Sequence, residues 1–281
     1  METRFIQFLV AVILCIGVTQ SAKGPRADIF NIQDIGQFRD IAKSPNGVVG
    51  NALPLNSRFK WKSRDAYGNY QIPYVIAGPF NRDEYQMIIN AMVRIQANTC
   101  IRFIRRTKER DFINIESVDG EGCFAYVGNH GGRSSMNLES SSKASCMFHD
   151  IVIHELLHSV GLWHEHMRHD RDNYIKVHYE NINRAMSPQF IKIPQSQGET
   201  YGTKYDYSSV MHYDKSAFAK KKGLLTMETL DKNAQGLIGK AKDASYSDYK
   251  KVCAMYGCKS CYGSPIRTEA KESEKKSKET E

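Results

Sequence analysis

Between Val152 and Asp172 the chain reads VIHELLHSVGLWHEHMRHDRD and holds five of its nine histidines. His154 and His158 are four residues apart. On a helix that spacing puts both imidazoles on one face, about one turn apart. Two such nitrogens can reach one zinc ion at about 2.0–2.1 Å. Glu155 follows the first histidine, where a carboxylate can reach a water on the metal. The string HELLH by itself also suits two solvated histidines on a helix surface. Gly161 and His164 favour the metal. Glycine three residues past His158 is where a helix can end and fold back, and the turn brings His164 round as a third nitrogen ligand. Three protein ligands and one open position are the layout of a catalytic zinc, not a structural one.

Several elements must hold this group in place. CMFHDIVIHELLHSVG (146–161) reads as the helix carrying the first two ligands. A second helix is predicted from Asn81 to Cys100, with apolar residues at Met87, Ile88, Ala91, Met92 and Ile95. Asn81 is its cap, and Glu84 is the capping-box partner. YQIPYVIAG (70–78), IRFIRR, FINIES and GCFAYVG read as strands. Pro73 points to an edge position or a strand start for the first of these. YSDYKKVCAMYGC is a last helix, and the stretch between Asp172 and Asp243 is mixed, with short helical patches and loops. No internal repeat is present.

At 281 residues and 41% hydrophobic content the chain can bury a sizeable core. Its net charge of +8 is spread along the sequence and accompanies no nucleic-acid-binding motif, so no nucleic-acid partner is expected. Arg4 precedes an apolar run from Phe5 to Val18, with Ser21 and Ala22 after it. This is the layout of a cleaved secretory signal over residues 1–22, and the run is too short to span a membrane comfortably. Stable membrane insertion is not expected. Cys15 leaves with the signal. Six cysteines remain, an even number in an oxidising compartment, which points to three disulfides with 15 possible pairings. Residues 23–50 read as a pro-segment, and residues 262–281 as a charged, disordered tail. No Asn-x-Ser/Thr sequon occurs.

YDYSSVMHY (205–213) places a Met-containing turn downstream of the histidines. The pair, HExxHxxGxxH followed by a Met-turn, is the metzincin signature. With IPYVI, NTCIRF, GCFAYVG, SSVMHY and the closing YGC, the chain resembles the astacin family of secreted zinc endopeptidases over about 51–258. It departs at Leu162, where the family usually has phenylalanine, and at Phe124, where tryptophan is more frequent. The resemblance implies His154, His158 and His164 as ligands of one Zn2+ and Glu155 as general base. It implies Tyr213 as a further, displaceable ligand and Met211 as an apolar floor beneath the site. Glu165 would lie beside the amino terminus made by an activating cut near Gly50 or Asn51. Phe124 and Ala125 would line the cleft for an extended peptide. The implied disulfides are Cys100–Cys253 and Cys123–Cys146. Cys258 and Cys261 are then left to pair with each other, or with another molecule. The family's Phe-x-Gly-Asp latency pattern is absent, and Asp34 and Asp40 are the nearest candidates.

The expected fold class is α+β of the metzincin type. A twisted, mainly antiparallel-edged sheet and two long helices would form the N-terminal half, with an irregular C-terminal half and the cleft between. The peptidase domain would span 51–261. The expected function is that of a secreted, monomeric zinc endopeptidase acting on protein or peptide substrates. The alternative is an inactive zinc-binding relative serving as a secreted binding module. A basic protein binding acidic polymers at cell surfaces is a third reading. His149, His166, His169 and His178 are expected at the surface or in packing roles, and His212 has no assigned chemistry. Arg168, Asp170, Arg171 and Asp172 are expected to form a structural ion-pair network.

Overall fold

Runs rich in β-branched and aromatic residues build the first three strands, and the first half of the chain holds five strands of one sheet and two helices. In chain order these are β1 (Tyr70–Ile76), α1 (Arg82–Asn98), β2 (Ile101–Arg105), β3 (Phe112–Glu116), β4 (Cys123–Ala125), β5 (Arg133–Leu138) and α2 (His149–Val160). A computed structural model describes Gly24, residues 51–194 and residues 198–266. The expected signal peptide, nearly all of the 23–50 segment with Asp34, Asp40 and Gly50, and the tail beyond Ile266 lie outside the described residues.

The strand order is β2-β1-β3-β5-β4. Pairings β1–β2, β1–β3 and β3–β5 are parallel, and β4 alone runs antiparallel, on β5. The antiparallel edge is thus the single strand β4, and the body of the sheet is parallel. Pro73 stands in an inner strand and not at an edge, which corrects the expectation drawn from the proline. Its register explains why it is tolerated. The Tyr70 N–H faces β2 and donates to Cys100 O, whereas the Gln71 N–H faces the other side and donates to Ser63 O. By alternation the missing N–H of Pro73 also faces that side, where pairing with β3 begins only at Tyr74. β5 is a strand that the sequence pattern does not announce.

α1 starts at the predicted capping box. Asn81 Oδ1 accepts from the Asp83 and Glu84 amides, and Glu84 Oε2 accepts from the Asn81 amide. Such a cap stabilises a helix by about 0.5–2 kcal/mol. Ile88, Ala91, Met92 and Ile95 form its buried stripe. α2 is buried from Ile151 to Val160, as a helix apolar around most of its circumference should be.

The second half is irregular, as expected. Short 3-10 turns dominate, with one small ladder between β6 (Ile175–Val177) and β7 (Met227–Thr229). It has its own apolar cluster around Phe190, Tyr213, Phe218, Met227 and Ile238, separate from the main core. The chain then returns to the main core through α3 (Tyr246–Tyr256), capped by Ser245 and Asp248.

Three disulfides are formed: Cys123–Cys146, Cys100–Cys258 and Cys253–Cys261. The first agrees with the resemblance. The pairings Cys100–Cys253 and Cys258–Cys261 are overturned. α3 ends at Gly257, whose left-handed backbone (φ +61°) turns Cys258 back toward Cys100. Cys253 lies earlier on the helix and meets Cys261 as the chain returns. That bridge also holds a two-stranded hairpin of β8 (Ser260–Cys261) and β9 (Ser264–Pro265). Its second strand, β9, lies beyond Cys261, within the stretch expected to be tail. Among the described residues no helix is long and apolar enough to cross a membrane.

Candidate active site

α2 presents His154 and His158 one turn apart, and the chain reverses at Gly161 to bring in His164. The Nε2 atoms of His154 and His158 lie 3.3 and 3.2 Å from Nε2 of His164. Tetrahedral zinc with Zn–N bonds of 2.0–2.1 Å has N···N edges of about 3.3–3.4 Å, so the spacing already matches one ion. The tautomers match as well. His154 Nδ1 faces Val210 O at 2.8 Å, and His158 Nδ1 faces Leu162 O at 2.7 Å. A carbonyl can only accept, so each Nδ1 carries the proton and each Nε2 turns a lone pair inward. Burial, and then His154 and His212, hold His164 well below the usual imidazole range, which keeps it neutral and able to ligate. These three are the metal-binding group found among the described residues.

Gly161 carries a geometric burden. Its φ is +128°, its N–H donates to Leu157 O and His158 O, and it ends α2. A Cβ there would stand 2.9 Å from Leu53 Cδ1 and 3.1 Å from Met255 Sδ. Gly161→Ala is expected to destabilise the fold by about 1–3 kcal/mol, and to loosen zinc by displacing His164. Chemical denaturation and zinc content after dialysis would show it; wild-type values in both would contradict this reading.

The Met-turn is tied to the site twice. Val210 supplies the carbonyl that orients His154, and Met211 O accepts from the Glu165 amide. Met211 is fully buried. The turn is anchored from α3, whose buried Asp248 accepts from Ser209 Oγ at 2.6 Å and from the Val210 amide at 3.1 Å. The Tyr213 ring packs 4.3 Å from that of His164 and 4.1 Å from that of His166. Glu155 is fully buried on α2. On edge strand β4, Phe124 is half-buried and Ala125 is buried.

Glu165 sits in a buried polar cluster. Its Oε1 accepts from Arg168 and from the Asp206 amide, and its Oε2 accepts from Asn51 Nδ2 at 3.2 Å and from Lys251 Nζ. Burial alone would raise this carboxyl, but Lys251 and Arg168 outweigh it and hold Glu165 below the usual range. Arg168 also pairs with Asp170, and Arg171 with Asp172, the structural network expected. Sequence reasoning missed Lys251 and Asp248. Their sequence signal is weak: two charges of opposite sign on the predicted last helix, with nothing to show what they face. His166 is fully buried against Tyr213, and His212 accepts from the Tyr205 hydroxyl while its Nδ1 donates to Tyr213 O.

The model of the Astacin peptidase family matches residues 59–257. The zinc metalloproteinase nas-5 of Caenorhabditis elegans is 45% identical over 269 residues, covering 91% of this chain and 74% of that protein. High choriolytic enzyme 2 of Oryzias latipes is 36% identical, covering 73% of this chain and 69% of that enzyme. The chain spans 60% of nas-6 and 52% of nas-7 from C. elegans. The solved structure of high choriolytic enzyme 1, a hatching-enzyme zinc protease of Oryzias latipes, superposes with a TM-score of 0.66. It is 35% identical, covering 72% of this chain and 96% of that one. With a family match over most of its length and a three-histidine group positioned to bind one zinc ion, the chain belongs to the astacin family of zinc metalloendopeptidases.

Proposed function

We propose that the protein is secreted and hydrolyses internal peptide bonds of polypeptides laid along β4, with His154, His158 and His164 holding the zinc. The observation that carries this is the trio of inward-facing Nε2 atoms at zinc spacing. The ion supplies Lewis acidity that polarises a carbonyl and acidifies water. Glu155 takes the proton of the attacking water and delivers it to the leaving amine. Tyr213 would serve as a further, displaceable ligand, and its hydroxyl would donate to the carbonyl oxygen as charge builds there. β4 is hydrogen-bonded to β5 alone among the described strands, so its other edge suits an added peptide strand, with Phe124 and Ala125 along the cleft. Val210 and Leu162 keep two ligands in the binding tautomer.

Three disulfides support an extracellular destination. The Asn51 amide on Glu165 supports an activated amino terminus lying beside that carboxylate. Asn51 would itself carry that terminus after a cut at Gly50. The reading as an inactive binding module is not favoured, because Glu155 and all three ligands are in place.

Tyr213→Phe is expected to keep zinc and lose about a hundredfold in kcat, less than removal of the base. Unchanged kcat would remove Tyr213 from the mechanism. The function itself is tested by cleavage of a peptide library with and without a chelator. Metal-dependent internal cuts are expected; cleavage indifferent to the chelator would overturn the proposal.

A further inference from the structure

A concavity of about 870 Å³ opens on another part of the chain's surface. None of the zinc-site residues lines it. It forms where the segment from Arg58 to Ser63 and the loop from Tyr126 to Gly131 come over the starts of β1 and β5, beside the β2–β3 loop. Three kinds of group meet there.

The first is positive charge. Lys60, Lys62 and Arg110 line the groove, together with Arg58 and Arg133. Two carboxylates also line it, but their oxygens are turned to local backbone and side-chain donors. Asp111 accepts from the Gly132 amide at 2.7 Å and from Asn129 Nδ2, and Glu109 accepts from the Thr107 and Lys108 amides. Five cations thus face two occupied acids; of the five, Arg133 also pairs with Glu116 and Lys60 Nζ donates to Leu55 O. Burial, and then Arg64 nearby, hold Lys60 below the usual lysine range. An anion would relieve both that crowding and the cost of desolvating the ammonium.

The second is an unmet hydrogen-bonding group. Ser134 is 6% exposed and lines the groove, and its Oγ has no hydrogen-bond partner. A buried hydroxyl without a partner costs about 1–3 kcal/mol, and a ligand hydroxyl reaching Ser134 would supply that partner. Gln71 and Ser63 add further polar side chains.

The third is an aromatic run. The His130 ring lies 4.7 Å from that of Phe59 and 5.4 Å from that of Tyr126, all three half-buried. Flat apolar faces among polar groups suit the faces of sugar rings as well as their hydroxyls. A peptide strand is served less well. On β1 the Gln71 N–H is already bonded to Ser63 O, and Pro73 has none to offer.

We propose that this groove binds a short segment of an anionic polysaccharide. Its acidic groups would meet Lys60, Lys62 and Arg110, its rings would lie on Phe59 and His130, and a hydroxyl would bond Ser134. The site would hold the enzyme on an acidic glycan matrix while the zinc cleft remains open.

Calorimetric titration of the full chain with a heparin hexasaccharide tests this. Lys62→Glu with Arg110→Glu is expected to weaken binding about tenfold, with cleavage of a short neutral peptide unchanged. Ser134→Ala leaves the charges alone and is expected to weaken it about threefold. The control Lys220→Glu with Lys222→Glu, on exposed lysines outside the groove, is expected to change affinity little. Equal loss in the control pair, unchanged affinity in both groove variants, or equally tight binding of hexaglutamate would overturn the proposal.

Discussion

Glu155→Gln is expected to retain one zinc per chain and to lose about 10²–10⁴ in kcat. The glutamine side chain has the size of glutamate, so α2 should pack as before around this fully buried position. Two of the three imidazoles are oriented by carbonyls that do not involve Glu155. His154 is oriented by Val210 O, and His158 by Leu162 O. Metal affinity should therefore survive, and only the ability to take and return a proton is removed. Zinc content by atomic absorption and kcat on a fluorogenic peptide separate the two effects. Near-wild-type turnover with zinc in place would remove Glu155 from the chemistry. Loss of the zinc as well would show that it acts structurally.

Lys251→Met should destabilise the fold by about 3–5 kcal/mol. Lys251 is 1% exposed and Glu165 is 0% exposed, and they form a direct ion pair. Taking one member leaves a buried carboxylate with Arg168 as its remaining cation. The pH dependence follows from the direction of the Glu165 shift. Its folded-state pKa lies below the ordinary 4.5. Its contribution is thus fully present above the unfolded value and is lost as pH falls through the folded one. Wild-type stability should hold at neutral pH and fall in acid below about 4.5. In Lys251→Met, burial is opposed by one cation fewer, so the carboxyl rises and the acid loss begins at higher pH. Urea denaturation from neutral pH into acid measures both. An unchanged midpoint at neutral pH would contradict the assignment of Lys251 as the required partner. Because Glu165 follows His164 and bonds to the Met-turn through its amide, zinc retention should fall alongside stability.

What can be read in advance is what depends on local spacing. The Asn81–Glu84 box, the i, i+4 histidines and the glycine that ends α2 are each decided within a few residues by helix geometry. β5 escapes such a reading because RSSMNL has neither the β-branched content nor the alternation that marks a strand; its partners β3 and β5's other neighbour, β4, make it one. Pro73 misleads because the harm done by a missing N–H depends on which neighbour that N–H would face. The cysteine pairing cannot be decided from spacing. Cys253 and Cys258 lie close together in sequence, and only the left-handed turn at Gly257 determines which of them meets Cys100. Lys251 and Asp248 look like ordinary charges on a terminal helix. Their role appears only once α3 packs beneath the Met-turn. Tertiary neighbours, not local propensity, determine all of these.

On the proposed mechanism, catalysis depends on one zinc ion held by His154, His158 and His164. The direct measurement strips the full chain with a chelator, returns zinc in measured steps and follows cleavage of a peptide at each step. Activity should be absent without metal, rise in proportion to zinc and level off at one equivalent, and His158→Ala should show no such rise. Full cleavage by the stripped chain, or a rise in the His158→Ala variant equal to that of wild type, would contradict it.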